Sequence, residues 1–221
     1  MGASLAVLAL AFMTYYSAVA LLASAFRADQ GGTAKLAYAA YCLVLAPFLV
    51  GGAARLTKGR GGLRGLGLVP VEGMRVWGWG ALMGLLGAAG NLLIFLFLSQ
   101  AARLLGGRHL QSQDALTLAR LRGPWLVLVF ISACLVAPFC EELFFRGVLY
   151  TSMRNRWGKA AATLASAAVF SFLHFKWEGL PSLFFLGALF AVLYERSGSL
   201  WPCMLAHSFN NLLALAVLLS L

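Results

Sequence analysis

Seven apolar runs, separated by short basic or glycine-rich breaks, leave this chain few ways to fold. They lie at roughly 3–26, 36–54, 76–100, 124–150, 160–176, 181–194 and 200–220. Hydrophobic residues make up 62% of the 221 residues and charged residues only 11%, far from the balance of a soluble domain. The expected fold is therefore all-α: a polytopic transmembrane helical bundle of about seven spans, six to eight, in a single integral membrane domain over 1–221. Residues 1–122 would supply N-terminal spans and an interfacial segment, and 124–221 a four-helix core. The sixth run is short for a span and is expected to tilt or to pair with a bent neighbour. Residues 103–122, RLLGGRHLQSQDALTLARLR, alternate leucine with polar groups. They read as a helix lying in the interface or a loop that closes over something.

The net charge of +10 invites a nucleic-acid reading, but the placement of the charge argues against it. Lys and Arg gather in short breaks such as RLTKGRGGLRG (55–65) and RNRWGK (154–159). That is where juxtamembrane charge orients helices and meets anionic head groups, and no nucleic-acid recognition motif accompanies it. The expected partners are the lipid bilayer and a membrane-associated peptide or protein, with no nucleic acid. Nine basic residues fall on the side of the 54–76 loop and seven opposite, which favours a cytoplasmic position for that loop. Arg27 and Lys35, after the first run, favour the reverse. That first run ends in an A-x-A-like LLASAF, yet no Lys or Arg precedes it, so it reads as a span rather than a signal peptide. Richness in Ala, Gly, Leu and Arg points to a GC-rich bacterial genome, hence to the bacterial inner (plasma) membrane. Cys42, Cys134, Cys140 and Cys203 lie in or at the ends of apolar runs and read as small buried apolar residues.

Five of the seven acidic residues sit in loops or at their edges, and two, Glu141 and Glu142, fall inside a span. An ionisable group at mid-bilayer costs on the order of 2.5–3.5 kcal/mol, so such a group faces the protein interior and marks a site by default. Successive helical residues diverge by about 100°. Glu142 and Arg146, at i and i+4, share a face in the favourable acid-first order and can neutralise each other. Glu141 has Phe145 at i+4 and no such partner. This spacing predicts a division of labour, with Glu142–Arg146 a structural ion pair and Glu141 a free carboxylate. The alternative is that both acids only tie neighbouring helices together.

The histidines within spans repeat the spacing. Phe170 and His174 in FSFLH, and His207 and Asn211 in HSFNN, are each at i and i+4. Taken alone, His174 is equally a satisfied interfacial histidine. His207 and Asn211 need hydrogen-bond partners inside the bundle. At about 1.5 Å per residue, Glu141 lies roughly 14 Å, His207 roughly 10 Å, Asn211 roughly 16 Å and His174 about 21 Å below the side of the 54–76 loop. A common cavity opening to that side is expected. Pro138 removes the helical hydrogen bond to the Cys134 carbonyl and can kink the helix beside Glu141, while Gly147 permits close approach of another helix.

EELFFR, FSFLH and HSFNN resemble, in order, the E-E-x-x-x-R, F-x-x-x-H and H-x-x-x-N/D motifs of the CPBP family of intramembrane proteases. That family comprises the type II CAAX prenyl proteases and the bacteriocin-processing (Abi) enzymes. The resemblance covers the last four runs. It implies an intramembrane endopeptidase in which Glu141, assisted by His174, activates a water, and His207 with Asn211 stabilises the oxyanion. Glu142, Arg146 and Phe170 would be supporting residues. Hydrolysis of an amide needs such a base and such donors. Zinc bound by Glu141, His174 and His207 is the alternative, with no cofactor the preferred expectation. No H-E-x-x-H is present, and Asn211 suits an oxyanion donor better than a zinc ligand. Other functions are a non-catalytic peptide-binding or immunity relative, disfavoured by the complete residue set, and a transporter, disfavoured by the lack of two matching halves with broken helices.

Overall fold

The computed structural model describes residues 6, 10, 11, 14, 19, 37, 39–58, 61–105, 123–174 and 177–220. Among them every regular element is helical. In chain order they are α1 (Tyr41–Leu56), α2 (Met74–Leu104), a run Pro124–Leu173, then α5 (Leu180–Ser197) and α6 (Leu200–Ser220). Gly158, at φ 77° and ψ 175°, breaks the long run into α3 (124–157) and α4 (159–173).

Among the described residues four runs are long and apolar enough to cross a membrane, namely Met74–Leu104, Pro124–Leu173, Leu180–Ser197 and Leu200–Ser220, while Tyr41–Leu56 is shorter. The expected count of about seven is not confirmed among the described residues. Two expected spans, 124–150 and 160–176, correspond to α3 and α4, which meet at Gly158 within one run, and RNRWGK, expected as a loop, is helical up to that break. The sixth expected span is longer than its apolar core, 18 residues with Pro181 in its first turn and Gly198 as a left-handed C-cap at φ 65°. The expected first span and the 103–122 segment fall mostly outside the described residues.

Gly158 folds α3 and α4 into a helical hairpin. Glu141 and His174 lie 17 and 16 residues from it, and Phe145 and Phe170 lie 13 and 12. Each pair meets: the rings of Phe145 and Phe170 are 5.0 Å apart, and His174 Nε2 is 3.8 Å from Glu141 Oε2. Nearly equal arms explain why His174, expected some way deeper than Glu141, stands level with it. Glu195 on α5 clamps the turn, pairing with Arg154 at 2.7 Å and Lys159 at 2.7 Å and accepting from the Tyr150 hydroxyl at 2.9 Å.

Small residues set the helix separations. Without a difference in apolarity between lipid and protein, membrane helices associate through close packing and hydrogen bonds. A Cβ on Gly84 of α2 would lie 2.9 Å from the Ala206 carbonyl of α6, and one on Gly187 of α5 2.9 Å from the Ala167 Cα of α4. The outer face of α2 carries exposed Leu85, Leu86, Leu93 and Phe97, as a lipid-facing surface would. Gly147 makes its expected close approach, but to the one-turn helix Arg64–Leu66 and to Leu200: a Cβ there would lie 3.0 Å from Leu66 Cβ. Below that turn the chain is strapped to the α5–α6 junction by Leu200 N–H to the Gly67 carbonyl (2.8 Å) and Ser199 Oγ to the Val69 carbonyl (2.9 Å).

Candidate active site

The motif helix α3 is not a uniform α-helix. Residues Ile131–Val136 and Leu143–Tyr150 wind as π-helix, and Ala137–Glu142 between them as α-helix. Such wide turns recur at functional sites, where they re-aim side chains. The first explains how Pro138 is accommodated. Ala137 donates its N–H to the Ser132 carbonyl, five residues back. In that register the next carbonyl, Ala133, would be served by residue 138, which as proline has no N–H. The Ala133 carbonyl is therefore left without a helical donor. Asn211 of α6 fills the gap, donating from Nδ2 to the Ala133 oxygen at 2.8 Å. Asn210 in turn donates to Asn211 Oδ1 at 3.1 Å.

The two glutamates face different neighbours, as their angular separation requires. Glu142 is fully buried, and its Oε1 accepts from Arg146 at 2.9 Å and from His207 Nδ1 at 2.8 Å. Arg146 is equally buried and donates a second hydrogen bond to the Gly187 carbonyl at 3.1 Å. Its guanidinium carbon lies 4.7 Å from the Phe170 ring centre and 5.4 Å from that of Phe190, within cation–π range. The i, i+4 pair is thus part of a larger unit. His207, two helices away, hangs on the same carboxylate oxygen and stacks on Phe190 at 5.2 Å. Phe170 is the hub, touching Phe145, His174, His207 and Arg146 from α4.

Glu141 is a tenth exposed and has a different environment. Its Oε1 accepts from the Tyr41 hydroxyl of α1 at 2.7 Å. Its Oε2 is 3.8 Å from His174 Nε2, too far for a direct hydrogen bond. A single water can span that gap, about 2.8 Å from each atom. His174 Nδ1 lies 2.7 Å from the Phe170 carbonyl, which can only accept, so a proton sits on Nδ1 and Nε2 is the ring nitrogen turned to Glu141. Glu141 Oε2 and His174 Nε2 therefore face one water-sized gap.

The site thus divides into a Glu141–His174 part and a Glu142–Arg146–His207 part, with Asn211 beside the latter on α6. The link from His207 to Glu142 has no local signal, being 65 residues apart in sequence. Tyr41 was also missed. A hydroxyl inside an apolar run needs a hydrogen-bond partner, and that is the one hint the sequence offers. Of the alternative zinc set, Glu141 and His174 face each other, whereas His207 lies with Glu142. Among the described residues no group of three His, Cys, Asp or Glu side chains could hold one metal ion. His207 Nδ1 is turned to Glu142 and Glu141 Oε1 to Tyr41. All four cysteines are free thiols.

Residues 123–213 match the family described as Type II CAAX prenyl endopeptidase Rce1-like. The resemblance read from the three motifs holds over that segment, which contains all of them. Over 84 residues, 38% of this chain and 34% of the relative, the sequence is 29% identical to the Bacillus subtilis protein named "Putative membrane peptidase YdiL". Over 100 residues, 43% of this chain and 29% of the relative, it is 30% identical to a protein of Mycoplasma capricolum subsp. capricolum named "Uncharacterized protein". The matched segments span about a third of the length of these curated relatives. No solved structure matches the chain.

Proposed function

We propose that the protein is an intramembrane endopeptidase of the glutamate type, hydrolysing a peptide bond in a membrane-associated peptide or protein of the bacterial inner membrane. The observation that carries this reading is the 3.8 Å gap between Glu141 Oε2 and His174 Nε2, wide enough for one water, in a chain whose residues 123–213 are Rce1-like. Glu141 takes a proton from that water while its oxygen attacks the scissile carbonyl carbon. The C–O bond forms and the carbonyl π pair moves onto oxygen. As the tetrahedral intermediate collapses, the C–N bond breaks and Glu141 returns the proton to the leaving amine. His174 holds the water through Nε2, its tautomer fixed by the Phe170 carbonyl.

His207 and Asn211 supply the donors for the oxyanion. With His207 Nδ1–H on Glu142, the free ring nitrogen is Nε2, which donates only when the ring carries a proton on each nitrogen. The Glu142 carboxylate then faces both the imidazolium and Arg146, and the developing oxyanion completes the charge balance. Asn211 Nδ2 has two protons; Ala133 takes one and the second remains for the substrate. No metal takes part in this reading.

The test uses the full chain in lipid nanodiscs with two quenched fluorescent peptides. One is farnesylated on a cysteine three residues from its C-terminus, and the other is an unprenylated peptide held by an apolar anchor. Cleavage of either, lost in Glu141→Gln and insensitive to a chelator, is the expected result. Cleavage that survives Glu141→Gln, or that a chelator abolishes and Zn²⁺ restores, would overturn the reading.

A further inference from the structure

We infer that Tyr41, outside the Rce1-like segment, is a positioning residue for the general base, a role that rests on the protease reading above. Tyr41 opens α1, and the i+4 row that it begins, Leu45, Leu49 and Ala53, is buried. Leu45 and Leu49 pack in one cluster with Phe144 and Phe145 of the motif helix, and Ala53 packs with Leu143. That stripe docks α1 along α3 and delivers the Tyr41 hydroxyl to Glu141 Oε1 at 2.7 Å, a hundred residues away in sequence.

The geometry divides the labour of one carboxylate. A glutamate carboxyl turns about a broad, roughly two-fold terminal torsion and has no preferred heading of its own. A hydroxyl donating to a carboxylate makes a short, strong hydrogen bond. With Oε1 held by Tyr41, the carboxylate plane is fixed and Oε2 is presented to the gap shared with His174. Cys140, the residue before Glu141, is buried, as are Leu143 and Phe144 after it, so the backbone on either side is already held. The side-chain torsion is the remaining freedom, and Tyr41 removes it. Tyr41 touches Glu141 and acts on the water only through it. The N-terminal helix thereby becomes part of the catalytic unit rather than an accessory span.

The experiment compares the wild-type chain, Tyr41→Phe and Glu141→Gln in nanodiscs, with two readouts. The first is kcat and KM on whichever of the two quenched peptides is cleaved. Tyr41→Phe keeps the ring and its packing, so kcat falls by about 10–100-fold with KM within about two-fold, because a misdirected base is felt in the chemical step and not in binding. The second is the ¹³C spectrum of protein labelled at the glutamate carboxyl carbons. The resonance absent from Glu141→Gln moves in Tyr41→Phe, and that of Glu142 stays in place. A Glu141 resonance unmoved by Tyr41→Phe would overturn the inference, as would an unchanged kcat, or a rise in KM that accounts for the whole loss. If the resonance moves but the wild-type chain cleaves neither peptide, the protease reading fails while the Tyr41–Glu141 pair stands.

Discussion

Asn211 Nδ2 donates to the Ala133 carbonyl at 2.8 Å, a carbonyl that Pro138 leaves without a helical donor. A proline in α3 and an asparagine on α6 are therefore two halves of one device. Asn211→Ala alone leaves a part-buried carbonyl unpaired and is expected to cost about 1–3 kcal/mol. Pro138→Ala restores an N–H that can serve Ala133, so in that background the cost of Asn211→Ala falls by about 1 kcal/mol or more. A double-mutant cycle of thermal or denaturant stability measures the coupling, and strictly additive effects would contradict it.

The Glu142–Arg146–His207 unit is buried, and its members respond differently from Glu141. Removing one partner of a buried pair strands a charge at about 3–5 kcal/mol. Arg146→Ala should therefore unfold or strongly destabilise the protein. Glu142→Leu with Arg146→Met should recover much of the melting temperature but not cleavage, because His207 loses the carboxylate that holds Nδ1. Melting curves and cleavage rates on the same preparations separate the two effects.

Gly158 occupies a backbone conformation that is essentially reserved for glycine, at φ 77° and ψ 175°. A Cβ there meets nothing within 4 Å, so Gly158→Ala probes backbone strain alone. It is expected to cost about 1–3 kcal/mol and to lower cleavage by disturbing the level meeting of Glu141 and His174. A variant with wild-type stability and rate would show that the hairpin turn does not set their register.

Gly187→Ala and Gly78→Ala form a matched pair on two helices. At Gly187 the added Cβ meets the Ala167 Cα at 2.9 Å, backbone that cannot swing aside, and its own carbonyl is the acceptor for Arg146. A loss of about 1–3 kcal/mol is expected. At Gly78 the Cβ meets nothing, so alanine should be neutral or stabilise by up to about 1 kcal/mol through helix propensity. Equal effects at the two positions, measured as melting-temperature shifts, would contradict the packing described.

What the sequence made legible were features carried by composition and by helical spacing. Apolar runs mark α2, α5 and α6, and the i, i+4 rule separates Glu142–Arg146 from Glu141. The rest depends on contacts between distant segments or on backbone register. A π-turn uses the same apolar residues as an α-turn, so IS-A-C-L-V gives no sign that the Ala133 carbonyl loses its donor. Gly158 sits in a basic stretch that reads as a loop between two spans, and its backbone angles narrow that loop to a sharp turn between two long helices. Glu142 is shared between Arg146 and His207 because α6 crosses α3 at that height, which periodicity within α3 cannot foretell. Tyr41 stands in an apolar run where an aromatic ring needs no explanation until its hydroxyl is traced to Glu141.

The central claim is that Glu141, and not its neighbour, is the base. The most direct measurement is peptide cleavage by Glu141→Gln in nanodiscs beside its melting temperature, because the substitution is nearly isosteric and Glu141 lies outside the buried ion-pair unit. The expected result is loss of cleavage by about 10³-fold or more, on the scale of removing a general base with its bound water, with the melting temperature held within a few degrees. Cleavage retained at a substantial fraction of the wild-type rate by a folded Glu141→Gln chain would contradict it.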